Sequence, residues 1–198
     1  MTRFAFIGLF LVALAAIVYV LIRASAGDPP GHPLEHYARG TLEKLDFSGA
    51  GTPVPAGTFD DPSGAQADLA SFRGRTILVN YWATWCAPCE KEMPALGALQ
   101  KARGGDTFEV VAISIDADED VGYARRRLTE LGAANIAFRH APLDRGDIVY
   151  GANVQGFPTT ILYGPDGLEI ARLAGEADWA AAEAVQFIDA ALRQAGEN

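Results

Sequence analysis

Cys86 and Cys89 are the only cysteines in this chain of 198 residues, and two residues separate them. They end the run Asn80-Tyr81-Trp82-Ala83-Thr84-Trp85-Cys86-Ala87-Pro88-Cys89, where an apolar stretch gives way to a helical pattern. A cysteine in the first turn of a helix sees unpaired backbone N–H groups and the positive end of the helix dipole, and both favour thiolate. Cys86 holds that position and is the expected nucleophile toward a partner's disulfide. Cys89 lies about one helical turn deeper. It is the expected resolving thiol, the one that breaks the mixed disulfide and releases reduced product. The C-x-x-C spacing between a strand and a helix is a redox signature.

Other uses of the pair are weaker. A structural disulfide framework needs more cysteines at wider spacing. A zinc site needs further ligands, and the histidines are only His32, His36 and His140. No metal is expected. Pro88 stiffens the first turn, and neither intervening residue is a histidine that would stabilise the thiolate further. A less stabilised thiolate favours a reductant over an oxidant. Around the pair, Tyr81 and Trp82 read as core, and Trp85 as a surface docking edge.

The elements that must position this pair follow from the hydrophobic pattern. Arg75 to Trp82 reads as a buried central strand and Phe108 to Ile115 as a second. Between them Ala87 to Arg103 is helical, with Met93, Leu96 and Leu99 on one face and an expected kink at Pro94. Val121 to Leu131 reads as a helix whose Arg125, Arg126 and Arg127 form a solvated face, Ile136 to Phe138 as a short strand, and Asp147 to Tyr150 as a short helix. Thr159 to Tyr163 and Leu168 to Leu173 flank the turn Gly164-Pro165-Asp166-Gly167 and form a hairpin. Trp179 to Leu192 closes the order with an amphipathic helix. Thr58 to Phe72 carries its own turn signal and adds an N-terminal hairpin extension. The order implies an α/β fold with a central mixed sheet and helices on both faces.

Phe4 to Ile22 carries no charge and is flanked by Arg3 and Arg23. Its length favours a retained transmembrane helix over a cleaved signal, although Ala24-Ser25-Ala26 has the small-x-small form of a cleavage site. The expected organisation is an anchor (or signal) at 1–23, a linker and short helix at 24–54, and the main domain at 55–198. With an overall charge of −9 the chain lacks the basic face that nucleic-acid binding requires. An acidic body beyond the anchor puts the cysteine pair outside the cytosol.

WATWCAPC followed by E-x-P resembles the thioredoxin superfamily over roughly residues 55–195, and more narrowly the membrane-anchored TlpA/ResA group of bacterial thiol-disulfide reductases. Gly156-Phe157-Pro158-Thr159-Thr160 resembles the family's second motif. The resemblance implies that Pro158 is cis and faces the cysteines, and that Phe157 pairs with the substrate backbone. Trp85, Pro88, Phe157 and Pro158 are thus the expected substrate-binding residues. Cytosolic thioredoxins carry a buried aspartate where this chain has Asn80, which cannot titrate. Glu92 matches the acid of the TlpA/ResA group and is the expected replacement, catalytic alongside Cys86 and Cys89. Glu90 reads as exposed. Asp116-Ala117-Asp118-Glu119-Asp120 reads as a solvated turn with an N-cap, and His140 has no role.

The function these features imply is an extracytoplasmic thiol-disulfide oxidoreductase, a protein-disulfide reductase with no cofactor beyond the Cys86–Cys89 couple. Its location would be the bacterial inner membrane, with the catalytic domain in the periplasm. Its partners would be client proteins with disulfides or cysteine pairs, of the cytochrome c maturation or copper-oxidase assembly type, and a membrane thiol donor. It would act as a monomer. The alternatives are a disulfide oxidase or isomerase and a copper-binding thioredoxin-like chaperone; C-x-x-C with Pro88 argues against a peroxidase.

Overall fold

The computed structural model describes residues 14–19 and 31–197. Residues 14–19 are helical, and no helix among the described residues is long and apolar enough to cross a membrane. Most of the expected anchor lies outside the described residues, as does the stretch 24–30.

The centre of the body is β3 (Thr76–Trp82), whose seven residues are all buried. A strand hidden along its whole length needs cover on both faces, which explains why it reads as an unbroken apolar run. It pairs in parallel with β4 (Phe108–Ser114), Trp82 opposite Ser114. A parallel pair needs a long crossover, and α1 (Ala87–Arg103) supplies it. On the other side β3 pairs antiparallel with β6 (Thr159–Tyr163), Asn80 opposite Thr160. β6 turns back through Gly167, at φ +75°, into β7 (Glu169–Ala174). β1 (Thr58–Asp60) and β2 (Gln66–Asp68) form the extension hairpin. β5 (Arg139–His140) joins that hairpin to β4, giving the mixed order β2-β1-β5-β4-β3-β6-β7.

The remaining helices are α2 (Val121–Leu128), α3 (Asp147–Gly151) and α4 (Ala182–Glu197). Three boundaries differ from the sequence expectation. α2 passes into a π turn at Thr129–Ala133, where Gly132 takes φ +82°. The short strand forms at Arg139–His140, after the apolar run Ile136–Phe138, because only there does the backbone reach Ile113 and Ser114 of β4. The closing helix starts at Ala182 instead of Trp179. α1 continues through Pro94 without interruption.

The body itself begins at Leu34. Much of the stretch expected as linker and short helix is therefore part of it. Two 3-10 turns, Glu35–Tyr37 and Gly40–Leu42, bury Leu34 and Leu42 in the core. The chain then runs along the outer edge of β7: Asp46 exchanges backbone hydrogen bonds with Arg172, and Pro53 lies opposite Leu168. An open sheet edge is thereby covered.

Candidate active site

Cys86 is the N-cap of α1, and Cys89 lies in its first turn. The two sulfurs form a disulfide, and the Sγ of Cys86 also accepts from the backbone N–H of Cys89 at 3.3 Å. Cys86 keeps 6% of its surface exposed and Cys89 none. This is the order of access expected of an attacking and a resolving thiol. Pro88 is exposed at the second position of the helix.

Two loops frame the pair. Trp85, 62% exposed, stands edge to face with Phe157, their ring centroids 5.9 Å apart. The Phe157–Pro158 peptide bond is cis, and Pro158 is buried. Because Tyr81 pairs with Thr159, Pro158 enters β6 beside the end of β3 from which the cysteine loop emerges. Thr159 Oγ1 closes the turn by donating to the Gly156 carbonyl at 2.7 Å.

Glu92 follows Cys89 by three residues, so the two share a face of α1. That face is turned inward: Glu92 is 3% exposed. Oε1 accepts from Asn80 Nδ2 at 2.6 Å and Oε2 from the backbone N–H of Ala177 at 3.1 Å. Burial pushes its pKa up to about 7, against the smaller opposing pull of the N–H groups of Ala177 and Asn80. A cavity of about 420 Å³ reaches the carboxyl, lined also by Thr41, Lys91, Glu176 and Asp178. Asn80, the residue in place of an acid, thus touches Glu92, the acid expected to replace it.

Three expectations about charged residues are corrected. Glu90 is half-buried, because Arg127 grips it with Nε at 2.7 Å and Nη2 at 3.0 Å, and this guanidinium holds the Glu90 carboxyl below its usual range. The arginine run is accordingly more than a solvated face; Arg125 also stacks over Phe138 at 4.7 Å. Asp116 is wholly buried instead of sitting in a solvated turn. It accepts from the Thr84 N–H at 3.0 Å, from Thr84 Oγ1 at 2.6 Å and from Ser114 Oγ at 2.8 Å. His140 is buried as well, and its Nε2 donates to the Asp116 carbonyl at 2.8 Å. Thr84 has no reading of its own in the sequence, and its tie to Asp116 has no local signal. The signal lay in the β3–β4 pairing, which sets the residues after Trp82 against those after Ser114. Among the described residues no three His, Cys, Asp or Glu side chains gather in a way that could hold a metal ion.

Residues 49–153 match the Redoxin family model. The chain belongs to the Redoxin family. Among its relatives are two proteins named thiol-disulfide oxidoreductase ResA. The one from Bacillus cereus is 29% identical over 144 residues, covering 70% of this chain and 77% of that protein. The one from Bacillus thuringiensis subsp. konkukian is 30% identical over 140 residues, covering 68% and 73%. Among solved structures, a Chlorobium tepidum protein assigned as the thiol:disulfide interchange protein DsbE superposes with a TM-score of 0.63 at 26% identity, covering 72% of this chain and 97% of that one. This Redoxin-family chain has a thioredoxin-like fold, and with its linked cysteine pair it is a thiol-disulfide oxidoreductase.

Proposed function

We propose that this Redoxin-family chain reduces disulfides of client proteins outside the cytoplasm, and that Glu92 serves as its proton acceptor. The observation that carries the reading is the burial of Glu92 on the face of α1 that holds Cys89, with Asn80 and Ala177 fixing both carboxylate oxygens. In the reduced protein the Cys86 thiolate attacks a client disulfide, breaking its S–S bond to form a mixed disulfide and to release one client thiolate, which takes a proton from solvent. Cys89 gives its proton to Glu92 and attacks the Cys86 sulfur. The second client sulfur leaves as a thiolate and takes up the proton held by Glu92, and the chain is left as the Cys86–Cys89 disulfide. The client has gained two electrons and two protons. A pKa of about 7 suits that exchange, because the carboxyl is divided between acid and base near neutrality.

Trp85, Pro88, Phe157 and Pro158 receive the client segment around its sulfur. The charge-free run at 4–22 anchors the chain in a bacterial inner membrane, with the body in the periplasm as a monomer. A membrane thiol donor returns the couple to its reduced form, and no other cofactor takes part. By resemblance to the TlpA/ResA group, the clients are haem-site thiols of apocytochrome c or copper-binding proteins of oxidase assembly. The test is the equilibrium potential of the couple against glutathione, together with turnover in insulin reduction. A potential near about −270 mV with insulin turnover supports the reductant, whereas one near about −120 mV overturns it in favour of an oxidase.

A further inference from the structure

Asn80 is wholly buried, yet half of its amide is unused. Its Nδ2 donates to Glu92 Oε1 at 2.6 Å and to Thr160 Oγ1 at 2.9 Å, which occupies both amide protons. Its Oδ1 accepts no hydrogen bond among the described residues. A buried acceptor without a donor is unfavourable, and here it sits one bond from the acid that takes the proton.

A primary amide is nearly symmetric in shape but opposite in chemistry at its two ends. As it stands, Asn80 serves a charged Glu92: an N–H points at a carboxylate oxygen. If that oxygen carries a proton, its O–H needs an acceptor and meets a donor instead. Turning the amide end for end places Oδ1 there to accept from the Glu92 O–H. The Thr160 hydroxyl adapts, since it accepts from Nδ2 in one arrangement and donates to Oδ1 in the other. The Ala177 N–H stays on Oε2 throughout. An aspartate at position 80 would repel the charged form, and a residue that only donates would leave the protonated form unmatched.

We propose that Asn80 is a positioning residue that holds Glu92 in one place through both of its protonation states, its amide turning over as the carboxyl gains or loses its proton. This rests on the reading of Glu92 as the proton acceptor of Cys89. The groups that face Glu92 are Asn80 from the sheet, with Thr160 bonded behind it, and Ala177, Trp179 and Glu176 from the segment after β7; Lys91 lines the same cavity, and Cys89 lies three residues before Glu92 on α1. Lys91 pairs with Glu176 at the cavity rim, and Asp178 and Thr41 complete the lining.

The test is an NMR titration of the oxidised full-length protein, following the Glu92 carboxyl carbon and the Asn80 side-chain amide from about pH 5 to about pH 9. The expected result is one shared midpoint near 7, with the amide protons shifting as their partner changes. If Glu92 titrates while the Asn80 amide stays still, the positioning role is overturned and the proton-acceptor reading stands. If Glu92 does not titrate in this range, both fall. In Asn80→Leu, which keeps the shape and removes both ends of the amide, each form of Glu92 loses a partner; the charged form loses the stronger bond, so the midpoint should rise by less than about one pH unit. In Asn80→Asp, two carboxyls share the site and titrate in two steps, the second above the wild-type midpoint. A Glu92 midpoint unmoved in Asn80→Asp overturns the proposal. So does a change confined to thermal stability.

Discussion

Trp85 and Phe157 meet edge to face, their ring planes at 87°, and so join the turn before Cys86 to the turn before Pro158 in one aromatic rim. Trp85 leaves 62% of its surface in solvent although it is among the largest apolar side chains of the body. Exposed aromatic anchors of this kind carry binding energy out of proportion to their number. Trp85→Ala should lower kcat/KM for insulin reduction by roughly tenfold, the loss of one modest anchor. Turnover of a small disulfide that makes no use of the rim should change by less than about twofold. Equal losses on both substrates would show that Trp85 acts on the cysteine pair and not on docking.

Asp116 ties the cysteine loop to the end of β4. Its carboxylate accepts from both the N–H and the hydroxyl of Thr84, two residues before Cys86. Asp116→Ala strands these buried donors together with Ser114 Oγ, and should destabilise the body by roughly 2–4 kcal/mol in urea unfolding. Thr84→Val removes only the hydroxyl bond and should cost about 1 kcal/mol. Insulin turnover should fall in the same order. Thr84→Val as damaging as Asp116→Ala would place the effect in Thr84's own packing.

The parts of this site that were legible in the sequence share a property: their signal is local. β3, α1 and β4 show as apolar runs or helical spacing, and the cysteines mark the junction between the first two. Glu92 was legible through the resemblance to the TlpA/ResA group, whose acid it matches, and its place three residues after Cys89 is a helical interval. What was not legible is carried by contacts across long separations. Arg127 reaches Glu90, Asp116 reaches Thr84, and Asn80 reaches both Glu92 and Thr160. Periodicity has no means of signalling such pairings, because each depends on sheet order and register. The segment from Leu34 to Val54 is the clearest case. It has no strong period of its own, and its order comes from burying Leu34 and Leu42 and lacing along β7.

Cys89→Ser tests the division of labour in the pair. Without a resolving thiol, the Cys86 adduct has no internal route to release. The variant should accumulate mixed disulfides with clients, visible on non-reducing gels and absent from Cys86→Ser. Adducts formed equally through either cysteine would contradict the difference in exposure between Cys86 and Cys89 as the basis of their roles.

Glu92 also leaves a signature in stability. In the oxidised folded protein its pKa is raised from 4.5 to about 7, chiefly by burial. Below pH 4.5 the carboxyl carries its proton whether the chain is folded or unfolded, so folding takes up none. Between 4.5 and 7 the unfolded chain has released that proton and the folded chain retains it. Each unit of pH in this window therefore removes about 1.4 kcal/mol of stability. Above 7 both states are ionised and the loss is complete, about 3 kcal/mol in all. Glu92→Gln has nothing to titrate at this position. Urea unfolding of the two oxidised proteins at a series of pH values should thus give a difference that widens by about 3 kcal/mol from pH 4 to pH 8, the wild type losing ground as the solution becomes more basic. Parallel curves would mean that Glu92 ionises at its ordinary pKa, and the carboxyl would then lie too low to serve as a base matched to a thiol.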